Sequence, residues 1–306
     1  VNDTEMVTDA PIIIENDRTL VPVRAILEYL DYNVDWDNDT QTVIISKNLT
    51  TLKFTIDNLE AILEFIFYEE TVDGKVHLEV APQIINDTTY IPLSDFKSAF
   101  HFDIDWDDDN KEIHITSYKQ GDFSQLIKFG IISDNDLSKD GYITVAEALN
   151  TFSKFSTITP DESMLSAWYS ISKLEPTDDT YDSAKISSII LKKDLVLTHN
   201  DIANLNFADN LTNLQVLTWV MRLTQSFYGC TRYIKDTDTY STDDIYTAVY
   251  YRGLINSTDT SNAQLPISRA DFYDLLNKVL FCSYVRGGYG GNYTTSLYET
   301  LQKQVS

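Results

Sequence analysis

Leu20-Val-Pro-Val23 returns as Tyr90-Ile-Pro-Leu93, and Asn33-Val-Asp-Trp-Asp37 returns as Asp103-Ile-Asp-Trp-Asp107, both at an offset of 70 residues. Ala10-Pro11 and Ala81-Pro82 fit the same spacing one residue out. An internal repeat is settled before anything else because it dictates architecture. Each copy reads as strand, helix, hairpin. Pro22 and Pro92 suit a first helical turn, where a missing N–H leaves no bond unmade. Val23, Ile26, Leu27 and Leu30 then recur at helical spacing. After Asp31 the pattern switches. Val34 and Trp36 alternate with Asp35 and Asp37, the mark of a half-buried strand. Asp37-Asn-Asp-Thr40 is a turn and Thr42 to Ser46 the returning strand, with Asp107-Asp-Asp-Asn110 as the counterpart turn. Between the copies, Leu52 to Ile56 pairs with Ala61 to Phe67 across Asp57-Asn58, and Thr71-Val-Asp-Gly74 carries another turn signal. Trp36, Trp106 and Trp219 read as core residues.

The run of alanine-proline, a strand, Arg18-Thr-Leu-Val-Pro-Val-Arg24, a short helix and Val34-Asp-Trp-Asp37 resembles the copper amine oxidase N-terminal-like domain. This is a stalk module carried by many Gram-positive surface proteins. The resemblance covers nearly all of residues 1–117 and implies an α+β domain built from the duplicated strand–helix–hairpin unit. It implies no copper, because the module is not the copper site and no copper ligand set is visible. The family pattern has Gly after the helix, for a left-handed backbone. Here Asp31 and His101 stand there, and Asp tolerates that conformation better than His. Ser94 stands opposite Arg24, so the second copy is the more divergent. The clusters Asp35/Asp37/Asp39 and Asp103/Asp105/Asp107/Asp109 invite a calcium reading. Alternation instead puts Asp35 and Asp37 on a solvent face opposite Trp36, and the rest fall in turns.

Residues 118–122 read as a linker, and residues 123–306 as an all-α domain of three helix–loop–helix pseudo-repeats. Phe129-Gly-Ile-Ile132 aligns with Arg252-Gly-Leu-Ile255, and Ile143-Thr-Val-Ala-Glu147 with Ile267-Ser-Arg-Ala-Asp271. A weaker copy lies between them, at Lys193-Asp-Leu-Val196 and Leu211-Thr-Asn-Leu-Gln215. Thr144, Thr212 and Ser268 are N-cap candidates. Glu147 and Gln215, three residues on, complete capping boxes, with Asp271 a shorter variant. Phe272, Leu275, Leu276, Val279 and Leu280 form one apolar stripe. The helix from Leu214 to Leu223 is apolar almost all round, which predicts burial at the centre of the domain.

These elements resemble the S-layer homology domain, whose tandem repeats anchor proteins to a secondary cell-wall polymer. That resemblance covers most of residues 123–285. In the family, an Arg of the signature meets the acidic groups of the polymer. Only Arg269 matches it here, and Val145 and Asn213 occupy the other two positions.

Asp136-Leu-Ser-Lys-Asp-Gly-Tyr-Ile-Thr-Val-Ala-Glu147 also fits an EF-hand loop. Asp136, Ser138, Asp140, the Tyr142 carbonyl and Glu147 are then the candidate calcium ligands. Against it, Gly130 breaks the incoming helix early and no second EF-hand is present. The alternative is a Gly turn followed by a capping box.

Composition narrows the function classes. The chain has 306 residues and a net charge of −24, which disfavours nucleic acid and anionic lipid as partners. A hydrophobic fraction of 43% is enough to build cores, so global disorder is excluded. No apolar run reaches the ~18 residues of a membrane span, so no membrane insertion is expected. The four histidines are scattered and no catalytic constellation stands out, so no catalytic residues are assigned. Gly287-Gly-Tyr-Gly-Gly291 reads as a connector to a last helix at Ser296 to Gln304. Cys230 and Cys282 are either one disulfide or two thiols. The expectation is a non-enzymatic extracellular protein on a Gram-positive cell surface or wall. Its partner is the secondary cell-wall polymer or, alternatively, another surface glycan or protein. Oligomeric state is left open.

Overall fold

Strands β2 (Arg18–Pro22) and β9 (Thr88–Pro92) lie antiparallel, with Leu20 opposite Pro92 and Pro22 opposite Tyr90. In the computed structural model this pair is the middle of a four-stranded sheet. β1 (Ile13–Glu15) lies outside β2 and β8 (Gln83–Ile85) outside β9. The structure describes residues 1, 5, 6, 8, 10–15, 18–47, 50–67, 70–93, 102–107, 109, 110, 112–156, 179–193, 196–226, 240–288, 291–297, 301 and 302. Two compact units emerge: Val1–Lys119 with Tyr251–Gly253, and Gln120–Tyr250 with Leu254–Ser306.

In the first unit, Pro22 ends β2 as the N-cap of helix α1 (Val23–Tyr29) rather than entering its first turn. Val23, Ile26 and Leu27 are buried, as the apolar spacing requires. The helix ends as the family pattern implied. Asp31 has φ 60°, and the amides of Asp31 and Tyr32 donate to the Glu28 and Leu27 carbonyls. His101 lies outside the described residues.

β3 (Asn33–Asp37), β4 (Thr42–Lys47), β5 (Thr50–Thr55), β6 (Glu60–Phe67) and β7 (Glu70–His77) then form an antiparallel five-stranded meander. Val34, Val43, Ile45, Leu52, Phe54 and Leu63 cluster with α1, Val21 and Ile91 in the principal core. The turn signal at Thr71–Gly74 is overturned. These residues sit within β7, paired to Leu63–Ile66, because the ladder with β6 continues through them without interruption. β10 (Phe102–Asp107) and β11 (Glu112–Ser117) make a separate hairpin. Both acidic turns form alike: one Asp37 carboxylate oxygen accepts from Asp39 and Thr40, and one of Asp107 from Asp109 and Asn110. Hydrogen bonding holds both carboxyls below the usual aspartate pKa, the Thr40 side chain leading for Asp37 and the Asn110 backbone amide for Asp107.

Trp36 departs from the core reading. It pairs with the buried Val43 across β3 and β4, yet is 36% exposed. Val34, on the same face, joins the core with Val23, Ile26 and Leu27 of α1, whereas Trp36 lines a cleft. Trp106 is partly buried and Trp219 fully so.

The second unit is not all-α. It holds α2 (Ser124–Lys128), α3 (Asp134–Leu137), α4 (Val145–Ser153), α5 (Asp179–Lys193), α6 (His199–Asn204), α7 (Asn213–Ser226), α8 (Thr242–Tyr251) and α9 (Arg269–Phe281). It also holds a hairpin, β12 (Ser283–Gly288) against β13 (Gly291–Ser296). Of the glycines read as a connector, Gly287 and Gly288 lie in β12 and Gly291 in β13, with Gly288 opposite Gly291. Helix α7 is the central element expected, with Val216, Leu217, Trp219, Val220, Met221 and Leu223 buried. Phe152 of α4 packs edge-on against Trp219 of α7 and Phe272 of α9, each at 5.8 Å between ring centres. Cys282 is buried, and Cys230 lies outside the described residues.

Candidate functional site

The segments before α4, α7 and α9 close on one another. The Ile143 amide donates to the Ile267 carbonyl, Ile267 to Leu211, and Leu211 back to Ile143. A second ring surrounds the first: the amide of Val145 donates to Asp209, Asn213 to Leu265, and Arg269 to Gly141. Each contact is a short antiparallel bridge, Thr144 with Asn210, Thr212 with Pro266 and Tyr142 with Ser268. The three segments aligned in sequence thus occupy equivalent places around one ring.

Capping follows local chemistry. Thr144 and Glu147 exchange hydrogen bonds at the start of α4, and Thr212 and Gln215 do so at α7. At α9 the Asp271 amide donates to the Ser268 hydroxyl, and that hydroxyl donates to the Asp271 carboxylate. The α2 and α5 ends match as well. Leu126 accepts from Ile131 and Ile132 as Leu191 does from Val196 and Leu197. Val196 is therefore the partner of Ile131, one residue from the sequence alignment, each standing three residues after its helix end.

Arg269 begins α9, and its guanidinium donates to both oxygens of Glu147, at 2.6 and 2.7 Å. Its side chain is 13% exposed and that of Glu147 36%. Burial works against the charged forms of both. The Thr144 amide and the guanidinium still bring Glu147 below its usual value, and Glu147 and the Tyr273 hydroxyl bring Arg269 above its own. The equivalent Val145 is buried, and the Asn213 side-chain amide donates to the Asn262 and Leu265 carbonyls. At this position the ring thus carries one ion pair, one apolar contact and one amide clamp.

The candidate calcium residues are otherwise engaged. Asp136 caps α3 by accepting from Ser133 and pairs with Lys139, which hold its pKa down to about 2. The Ser138 hydroxyl donates to the Asn135 carbonyl, and Glu147 serves Thr144 and Arg269. Asp140 is exposed, and Tyr142 takes part in the ring with its side chain half out. Among the described residues no three His, Cys, Asp or Glu side chains gather as a metal site would need, so the calcium reading rests on loop pattern alone.

One set of residues escaped sequence reading. Lys154 donates to the Ile131 carbonyl, and Arg222 to the equivalent Val196 carbonyl and to Asp201. Asp201 in turn boxes with Thr198 at the start of α6. Lys154, Arg222 and Lys278 each stand nine positions after Val145, Asn213 and Arg269. That equal spacing was the available signal. Lys278 pairs with Asp274 at 3.4 Å.

The first unit is a small β-rich module, and it is here that comparison with known proteins succeeds. The family model of the copper amine oxidase N-terminal domain matches residues 1–115, in agreement with the first of the two resemblances. In copper amine oxidases this domain is a non-catalytic stalk. No curated protein and no solved structure matches the chain. No helix among the described residues is long and apolar enough to cross a membrane.

Proposed function

We propose that this chain is a non-enzymatic extracellular protein, attached to or displayed on a Gram-positive cell wall through S-layer-homology-like repeats in residues 123–306. The observation that carries this reading is the closed ring of backbone bonds joining Ile143, Leu211 and Ile267, together with its outer ring. Three helix–loop–helix units related by a pseudo-three-fold axis account for both rings. The stalk-like domain at residues 1–117 then projects the anchor or spaces it from the wall. In this reading its two halves are copies, which is supported by matching registers: Ile14 faces Thr19 as Ile84 faces Thr89, and Trp36 faces Val43 as Trp106 faces Ile113, each 70 residues on.

In this reading Arg269 receives an acidic group of the wall polymer. One nitrogen of its guanidinium already donates to a carboxylate, Glu147, whose place an incoming anion takes. The test is co-sedimentation with purified Gram-positive cell wall at low and moderate salt. Wild type should pellet with the wall and Arg269→Ala should remain in solution, with Arg269→Lys in between, since lysine keeps the charge but not the fork. Wild type that fails to pellet, or an alanine variant that pellets equally, overturns it.

A second reading is favoured by the same pair. Glu147 neutralises Arg269, and Val145 and Asn213 bring no charge. The helical unit is then a binding module for another surface protein or glycan that has lost the wall polymer. Failure of wild type to pellet favours this alternative.

A further inference from the structure

The first unit contains a cleft of about 730 Å³, within the ~300–1,000 Å³ typical of small-ligand sites. It opens between the start of α1, strand β3 and the turn joining β8 to β9. Its apolar walls are Trp36 and Ile84, exposed by 36% and 45%. Asn38, Gln41, Asp87 and Thr88 line it with amide, carboxylate and hydroxyl groups. Asn86 and Asp87, at φ 50° and 60°, make the tight turn that brings the last two to the rim.

A half-exposed indole alone is unremarkable on a protein surface. Here it stands at the wall of a concavity, and no aromatic ring packs on it among the described residues. The face of an indole is electron-rich and apolar, so it attracts polarised C–H groups. A pyranose ring presents such C–H groups on its face and hydroxyls around its edge. Amides and hydroxyls that both donate and accept, as on Asn38, Gln41 and Thr88, suit those hydroxyls.

Charge decides which sugars fit. The lining has three carboxylates, Glu28, Asp35 and Asp87, and one cation, Arg24. Arg24 is held at 2.9 Å by both the Glu28 carboxylate and the Val34 carbonyl. The cleft is therefore net negative and its cation is already engaged, so acidic sugars are repelled. We propose that the Trp36 cleft is a binding site for a neutral glycan strand, with the indole as stacking platform. This site lies in the stalk-like unit and does not depend on the anchoring role of the helical one.

The test uses the whole chain with short chito- and cello-oligosaccharides as neutral probes and an oligogalacturonate as the acidic one. Titration is followed by calorimetry and by acrylamide quenching of tryptophan fluorescence. Saturable millimolar-or-tighter binding of at least one neutral probe, with an indole shielded from quencher, is expected. Trp36→Ala should weaken it about tenfold, as truncating one aromatic anchor of a site does. Trp36→Tyr keeps a stacking face and should retain most of the affinity, which separates platform loss from misfolding. Asp87→Asn, compatible with a positive φ, should let the acidic probe bind better. The proposal is overturned if wild type binds neither neutral probe, if Trp36→Ala binds as wild type does, or if the acidic probe binds more tightly than both neutral ones.

Discussion

Arg269 and Glu147, 122 residues apart in the chain, meet through one guanidinium nitrogen and both carboxylate oxygens. The same carboxylate caps α4 through Thr144, so one side chain serves a local helix start and a distant ring contact. This double duty makes Glu147 the hinge of the arrangement, and it is where stability and any anion binding compete.

A double-mutant cycle should expose that coupling. Arg269→Ala and Glu147→Gln are each expected to lower unfolding free energy by about 1–2 kcal/mol, the range for a half-buried charge-assisted bond. The double variant should lose less than their sum, by roughly 1 kcal/mol. Urea unfolding followed by circular dichroism reads both quantities. Strict additivity would mean the contact contributes nothing.

The deeper pair is Arg222 with Asp201, where the arginine side chain is 3% exposed. Removing the acid takes the Asp201 counter-charge from a buried cation, whereas replacing the cation by an apolar chain of similar length leaves a carboxylate that water still reaches. Asp201→Ala should therefore destabilise by about 3 kcal/mol or more and Arg222→Met by distinctly less. Thermal melts of the two variants give the order directly.

Acid should remove the α3 cap in a defined window. The folded-state pKa of Asp136 is depressed from 3.8 to about 2 by the Ser133 and Lys139 contacts. A depressed carboxyl pKa contributes stability above its unfolded value and loses it as pH falls through the folded one. Glu147 is shifted in the same direction and adds to the effect. Wild type should melt above Asp136→Asn at neutral pH, and the gap should close as pH falls from 3.8 towards 2. A gap that persists unchanged at the acid end contradicts the cap.

Calcium binding would require Asp136 and Glu147 to leave their caps and their cationic partners Lys139 and Arg269. Chelator-stripped protein is expected to give no heat and no rise in melting temperature at millimolar calcium, where even weak extracellular sites fill. A saturable signal lost in Asp140→Ala would establish the loop as a site instead.

Much of the molecule was legible because its causes are local. Thr144 and Glu147 lie three residues apart, so a capping box is written in the chain and forms wherever that helix forms. The Asp-Trp-Asp hairpins, the stripe of α9 and the burial of α7 follow likewise from alternation, helical spacing and composition. The left-handed Asp31 follows from its place just after the helix, where the family pattern has Gly.

Other features depend on what lies far away in sequence. Trp36 has the alternation of a core residue, but the core closes over Val34 and leaves the indole at a cleft, which only the packed unit reveals. Thr71–Gly74 has turn chemistry, yet a long ladder with β6 offers more backbone hydrogen bonds than a turn would. Lys154 and Arg222 look like surface cations until the carbonyls they reach are brought beneath them. The sequence by itself determined the elements, their caps and their pairwise resemblance, since these rest on neighbours within a few residues. Tertiary structure alone decided which charges meet and which aromatic stays open, because burial and Coulomb energy depend on distance in space rather than along the chain.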